Sequence, residues 1–181
     1  MKMNLANKIT VSRMIMVPVF VIILLSPIIP QPLNRYIAVA IFIIASLTDA
    51  LDGYIARSRN MITNFGKFMD PLADKLLVTS ALISMVELGS LPAWAVIIIT
   101  AREFIITGFR TIAASNNVVL AASWWGKLKT TSQMLMIIFV LIGFQGVIFE
   151  AINSLLLVLA VAFTIISGVD YIVKNINVLK D

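Results

Sequence analysis

Residues 41–75 read IFIIASLTDALDGYIARSR, then NMITNFG, then KFMDPLADK. Asp49 and Asp52 stand i,i+3 and Asp70 and Asp74 stand i,i+4, so each pair occupies one face of its own helix. The intervening SRNMITNFG (58–66) is polar enough to turn the chain back and bring the two acidic faces to one level. Four carboxylates at one level repel one another and are costly beside hydrocarbon, so something must compensate them. Hard divalent cations such as magnesium take oxygen ligands and suit such a set. Asp49, Asp52, Asp70 and Asp74 therefore read as a metal site. A pair of ions about 3.5–4 Å apart would share these carboxylates and clamp a reacting phosphate. The competing reading is a set of interfacial salt bridges with Arg57, Arg59, Lys67 and Lys75. It fits less well, because helices favour opposite charges at these spacings and here like charges fill both pairs.

Outward from this stretch the chain is unusually apolar: of its 181 residues 60% are hydrophobic and 13% charged. A soluble domain carries about 45–50% and about 25%, so a bilayer is the natural solvent for the excess. Six apolar segments stand near 14–33, 35–57, 71–89, 91–114, 129–148 and 150–173. A span needs about 20 residues at roughly 1.5 Å rise each, and all six reach it, the second and third by including charged ends. Pro27 and Pro30 are expected to end the first, and Gly89 with Pro92 to turn tightly between the third and fourth. Residues 3–13 mix polar and apolar side chains and read as a short helix on the membrane surface. No small-residue cleavage site follows MKMNLANK, so the first span is expected to stay.

Positive charge gathers on alternate loops. Lys2, Lys8 and Arg13 precede the first segment; Arg57, Arg59, Lys67 and Lys75 flank the second link; Lys127 and Lys129 precede the fifth, and Lys174 and Lys180 follow the sixth. The opposite loops hold Arg35, Glu87 and Glu150. This bias puts both termini in the cytoplasm and accounts for the net charge of +5 without nucleic acid. The expectation is an all-α polytopic membrane protein, six transmembrane helices and a short N-terminal interfacial helix, in a single domain over 1–181. Cysteine and histidine are both absent, which removes thiolate chemistry and the commonest acid/base residue. Proton transfer and metal binding then fall to carboxylates, lysine, tyrosine or water.

Gly53 leaves room beside Asp52 for a ligand, Ala56 keeps the next turn small, and Arg57 offers a planar fork to a phosphate. Asp49, Asp52, Gly53, Ala56 and Arg57, then eight residues, then Gly66, Asp70 and Asp74, resemble the signature of the CDP-alcohol phosphatidyltransferase family at all eight fixed positions. The resemblance implies that a CDP-linked donor loses CMP while an alcohol takes the phosphoryl-linked group. It implies two Mg2+ ions (or Mn2+) shared by the first three aspartates, with Asp74 both a ligand and the general base. Gly53, Ala56 and Arg57 resemble the residues that hold the cytidine and its pyrophosphate. Asn7, Thr10 and Arg13, in NKITVSR, resemble the polar signature that closes over the nucleotide, and Thr63 is a further donor contact. The family also implies a homodimer in a bacterial cytoplasmic membrane, with the active site on the cytoplasmic side.

Glu103, Thr107 and Arg110 share a face of the fourth segment, where Arg102 also lies. Ionisable groups inside a span face a partner or a cavity; for Glu103 and Arg102 a packing ion pair and a functional role stand equal. Asp170 either orients a basic residue or sits at the interface. Arg110, Lys127 and Lys129 read as an anion pocket for an acceptor that carries its own phosphate. The GKLKTTSQM stretch (126–134) resembles the branch of the family that uses CDP-diacylglycerol and glycerol 3-phosphate, giving phosphatidylglycerophosphate and CMP. Rival readings are the same chemistry on inositol phosphate or serine, and a magnesium transporter or channel lined by the acidic ring.

Overall fold

Thr10, Arg13, Val17, Phe20 and Leu24 are buried at successive spacings of three, four, three and four residues. That repeat defines one face of a helix, and α1 (Leu5–Leu25) is that helix. Around it the computed structural model describes residues 5–58, 64–115, 118 and 123–176, though not the side chains of 5–8, 49–58, 64–68, 70, 71 and 115. The further elements are α2 (Leu33–Ser58), α3 (Asn64–Glu87), α4 (Ala93–Ser115), α5 (Trp124–Ile142) and α6 (Val147–Asn175). The described residues form no strand, so the all-α expectation holds.

One departure concerns the start of α1. It is continuous from Leu5, so the short interfacial helix expected over 3–13 is not a separate element. Its end is as expected: α1 stops at Leu25, short of the apolar segment's limit near 33, because Pro27 and Pro30 follow and proline cannot continue a helix. Asn34 Nδ2 reaches back 3.1 Å to the carbonyl of Leu24 and satisfies one of the oxygens left over at the helix end. Farther along, Gly89 (φ 67°) makes the expected turn after α3.

The chain forms two compact units, Met1–Leu88 with Leu141–Gly143, and Gly89–Val140 with Phe144–Asp181. In the first, α1 packs on α2 and α3, and α2 packs on α3. Phe20 and Phe42 meet at 6.2 Å between ring centroids, while the fully buried Ala38, Ala45, Ala73 and Ala81 let the backbones approach. In the second, α4 packs on α6, where Gly168 is buried and a Cβ would lie 3.2 Å from Arg102 Cγ.

Among the described residues one helix, α6, is long and apolar enough to cross a membrane; α1 and α2 carry shorter apolar stretches, Ile9–Leu25 and Leu33–Thr48. α1 opens with Lys8 and Arg13, α2 closes on Asp49, Asp52 and Arg57, and α4 carries Arg102, Glu103 and Arg110. α6 also exposes Val147, Ile148, Leu155, Val158 and Val173 widely, an outward apolar surface that suits hydrocarbon.

Gly143 (φ 69°) ends α5 in the left-handed conformation that glycine adopts cheaply. A Cβ there would collide with Arg35 Nη1 and stand 3.1 Å from Arg35 Cδ. Gly143→Ala is expected to cost about 2 kcal/mol, from the backbone penalty and the displaced arginine together. Thermal unfolding in detergent should show a midpoint lower by roughly 4–8 °C; an unchanged midpoint would show that Arg35 moves aside freely.

Candidate active site

The acidic residues stand symmetrically about the link between α2 and α3. Asp52 lies six residues before Ser58 ends α2, and Asp70 lies six residues after Asn64 opens α3. At about 1.5 Å per residue both are roughly 9 Å from the link. α2 packs on α3, and the two pairs stand at matching distances along their helices from the link, as the spacing in the sequence requires. The side chains of Asp49, Asp52, Gly53, Ala56, Arg57 and Asp70 lie outside the described residues, as do the side chain of Asn7 and the whole of Thr63. Asp74 is described and exposed, next to Ala73, which is fully buried. The helix thus turns Ala73 inward and leaves Asp74 outward.

Among the described residues no three ligating side chains gather into a metal centre; only one of the four aspartates is among them. The donor chemistry nevertheless fits a hard cation. The chain has no cysteine or histidine, so every strong ligand it can offer is an oxygen. Of the expected donor contacts on α1, Thr10 and Arg13 are both 1% exposed. They belong to the inward face of the helix that packs on α2 and α3. A charged side chain so deep must be compensated by its surroundings.

The second unit holds the three basic residues read as an acceptor pocket, and it treats them differently. Lys129 is 4% exposed and its Nζ is paired with Glu103 Oε1, which also receives Arg102 Nη1 at 3.3 Å. The packing role weighed for Glu103 and Arg102 therefore has a physical basis, and the partner that buries deepest is a lysine from α5. Lys127 is exposed, with Nζ 5.9 Å above the Trp124 ring. Arg110 is exposed and donates through Nε to Tyr171 Oη at 3.1 Å, with Cζ 5.5 Å from the Tyr171 ring centre. Asp170 orients a basic residue after all: Lys174, one turn on, at 2.7 Å.

Tyr171 and Gly168 were not read from the sequence as site residues. An aromatic near the end of an apolar helix looks like an interfacial anchor, and glycine looks like packing. The available signal was their spacing: Thr164, Ser167, Gly168 and Tyr171 recur on one face, and that face is buried.

Comparison with known proteins agrees with the signature. The chain is 44% identical over 190 residues to the CDP-diacylglycerol–glycerol-3-phosphate 3-phosphatidyltransferase of Bacillus subtilis, covering 98% of this chain and 97% of that one. It is 41% identical over 174 residues to a probable phosphatidylglycerophosphate synthase of Mycobacterium tuberculosis, covering 96% and 82%. A Haemophilus influenzae protein with the same name as the Bacillus one is 40% identical over 179 residues, covering 95% and 93%. The family model for CDP-alcohol phosphatidyltransferase matches residues 3–166, from the start of α1 into α6 and through every aspartate of the acidic pair of helices. With the motif intact, its helices packed and nearly the whole chain matched, the chain belongs to the CDP-alcohol phosphatidyltransferase family.

Proposed function

We propose that the chain transfers a phosphatidyl group from CDP-diacylglycerol to glycerol 3-phosphate, releasing phosphatidylglycerophosphate and CMP. What supports this reading is the placing of Asp49 and Asp52 on α2 and Asp70 and Asp74 on α3, two packed helices joined by one short link. The printed names of the relatives support the choice of donor and acceptor.

Asp74 takes the proton of the acceptor hydroxyl as that oxygen attacks the phosphorus bearing diacylglycerol. The bond from that phosphorus to the CMP oxygen breaks, and CMP leaves with the electron pair. Two divalent ions, Mg2+ or Mn2+, held by Asp49, Asp52, Asp70 and Asp74, would offset charge on the attacked phosphate and the departing CMP. Gly53, Ala56 and Arg57 on α2, Asn7, Thr10 and Arg13 on α1, and Thr63 would bind the cytidine diphosphate end of the donor. Arg110 and Lys127 supply exposed positive charge for the phosphate of the acceptor. Lys129, buried against Glu103, adds to that potential from behind and holds α5 to α4.

The same reading takes 1–181 as one membrane-embedded domain of six spans in a bacterial cytoplasmic membrane, with both termini and the site cytoplasmic. The positive charge beside alternate helix ends supports that orientation, and the family resemblance supports a homodimer. CMP release from CDP-diacylglycerol in detergent micelles tests the function. Glycerol 3-phosphate with Mg2+ should support turnover, while inositol phosphate and serine should not. A chelator in excess should abolish release, and Mg2+ or Mn2+ should restore it. Turnover with another alcohol and none with glycerol 3-phosphate would overturn the acceptor; full turnover under chelation would overturn the metal.

A further inference from the structure

Tyr171 is 2% exposed, yet its hydroxyl meets the exposed Arg110. The ring is fixed from several sides. Phe109 stands edge-on at 6.5 Å, Ile106 and Ile172 complete the cluster, and Asn175 Nδ2 holds the Tyr171 carbonyl at 2.7 Å. So rigid an aromatic next to a solvent-facing arginine is more than an anchor. It occupies Arg110 Nε and lies 5.5 Å from the guanidinium carbon. Among the described residues Nη1 and Nη2 make no hydrogen bond or ion pair. An arginine fork binds a phosphate best when it presents two parallel N–H groups. With Nε taken by the tyrosine, the edge left to present is the Nη1–Nη2 pair. The Tyr171 hydroxyl, accepting from Nε, also keeps its own proton to donate.

We propose that Tyr171 is a positioning residue for acceptor recognition, holding the Arg110 fork ready for a phosphate dianion and so favouring acceptors that carry a phosphate. This rests on the reading that Arg110 meets the acceptor phosphate. The ordering cost of a long, exposed arginine is met before the ligand arrives, which tightens binding without touching the reacting atoms. The shared chemistry, a phosphate, could belong to the soluble acceptor or to a lipid headgroup, and the kinetic arms separate these.

Tyr171→Phe removes the hydroxyl and keeps the ring that packs on Phe109. It should raise KM for glycerol 3-phosphate by roughly tenfold or more, the effect of one hydrogen bond to a charged group. Inorganic phosphate, used as a competitor, should lose potency by a similar factor. The value of kcat should stay close to that of the unaltered enzyme, which also reports folding, and KM for CDP-diacylglycerol should not move. In an Arg110→Lys background the same substitution should add little, since a pair acting as one unit is not additive. If Tyr171→Phe leaves KM for glycerol 3-phosphate unchanged while Arg110→Ala raises it, the positioning role falls and the acceptor reading stands. If Arg110→Ala leaves that KM unchanged, the acceptor reading falls and the positioning role with it. A rise confined to KM for CDP-diacylglycerol would assign the phosphate to lipid and overturn the proposal.

Discussion

Asp74→Asn is expected to lower kcat for phosphatidyl transfer by at least about a thousandfold while leaving a folded protein. The first part follows from the two roles proposed for this carboxylate. Loss of a positioned general base alone costs about 10²- to 10⁴-fold, and the same change removes a charged metal ligand. The second part follows from position. Asp74 is exposed on α3, whereas its neighbour Ala73 is fully buried, so the amide replaces the carboxylate without altering the core. Asp70→Asn separates the two roles. It should also abolish transfer, but some of that loss should return as metal is raised, because a weakened site refills by mass action. No amount of metal returns a missing base, so Asp74→Asn should stay inactive throughout the titration. CMP release at several magnesium concentrations, with thermal unfolding as the check on folding, distinguishes the two. Activity near the unaltered level in Asp74→Asn would remove both roles from this residue, and Asp70→Asn activity that does not change at all across the magnesium titration would end the metal assignment.

The two helices that carry the aspartates were legible in the sequence from helical period and the polar link between them. Their bounds put six residues from Asp52 to the end of α2 and six from the start of α3 to Asp70. Helix ends were legible where backbone chemistry sets them, as at Pro27, Pro30 and Gly89. They were misplaced where the signal is amphipathic. The polar first turns of α1 looked like a separate surface helix, yet Thr10 and Arg13 lie on the same buried stripe as Val17, Phe20 and Leu24. Inward polar residues and outward apolar ones reverse the usual pattern when the solvent is lipid, so polarity alone cannot mark the end of a span. The basic residues of the second unit were legible as a set but not as individuals. No spacing in the sequence says that Lys129 meets Glu103, 26 residues earlier, or that Arg110 meets Tyr171, 61 residues later. Those pairings are made by helix packing, and they divide one apparent anion pocket into a buried ion pair and an exposed fork.

That division makes Glu103 a polar residue whose loss should cost substantial stability. Its carboxylate faces two cations, Arg102 and Lys129, with side-chain exposures of 15% and 5% against 23% for Glu103 itself. Removing one member of a buried pair leaves the other charge in a low-dielectric setting, which costs about 3–5 kcal/mol. Glu103 keeps some contact with solvent, so Glu103→Gln belongs near the low end, about 3 kcal/mol. For a chain of this length the unfolding midpoint should drop by roughly 6–12 °C. The stronger test is to remove both ends. Glu103→Leu with Lys129→Met replaces that pair by apolar groups of similar size and should recover much of the loss, because neither of its charges then remains to be desolvated and only Arg102, the more exposed of the two cations, is left without its partner. The two single changes would be strongly destabilising and the double change mild, a coupling that independent surface residues do not show. If the losses simply add, Lys129 and Glu103 do not depend on each other, and the ion pair is not what holds α5 to α4. Recovery of the midpoint with a raised KM for glycerol 3-phosphate would instead separate the two contributions proposed for Lys129, packing through Glu103 and positive potential towards the acceptor.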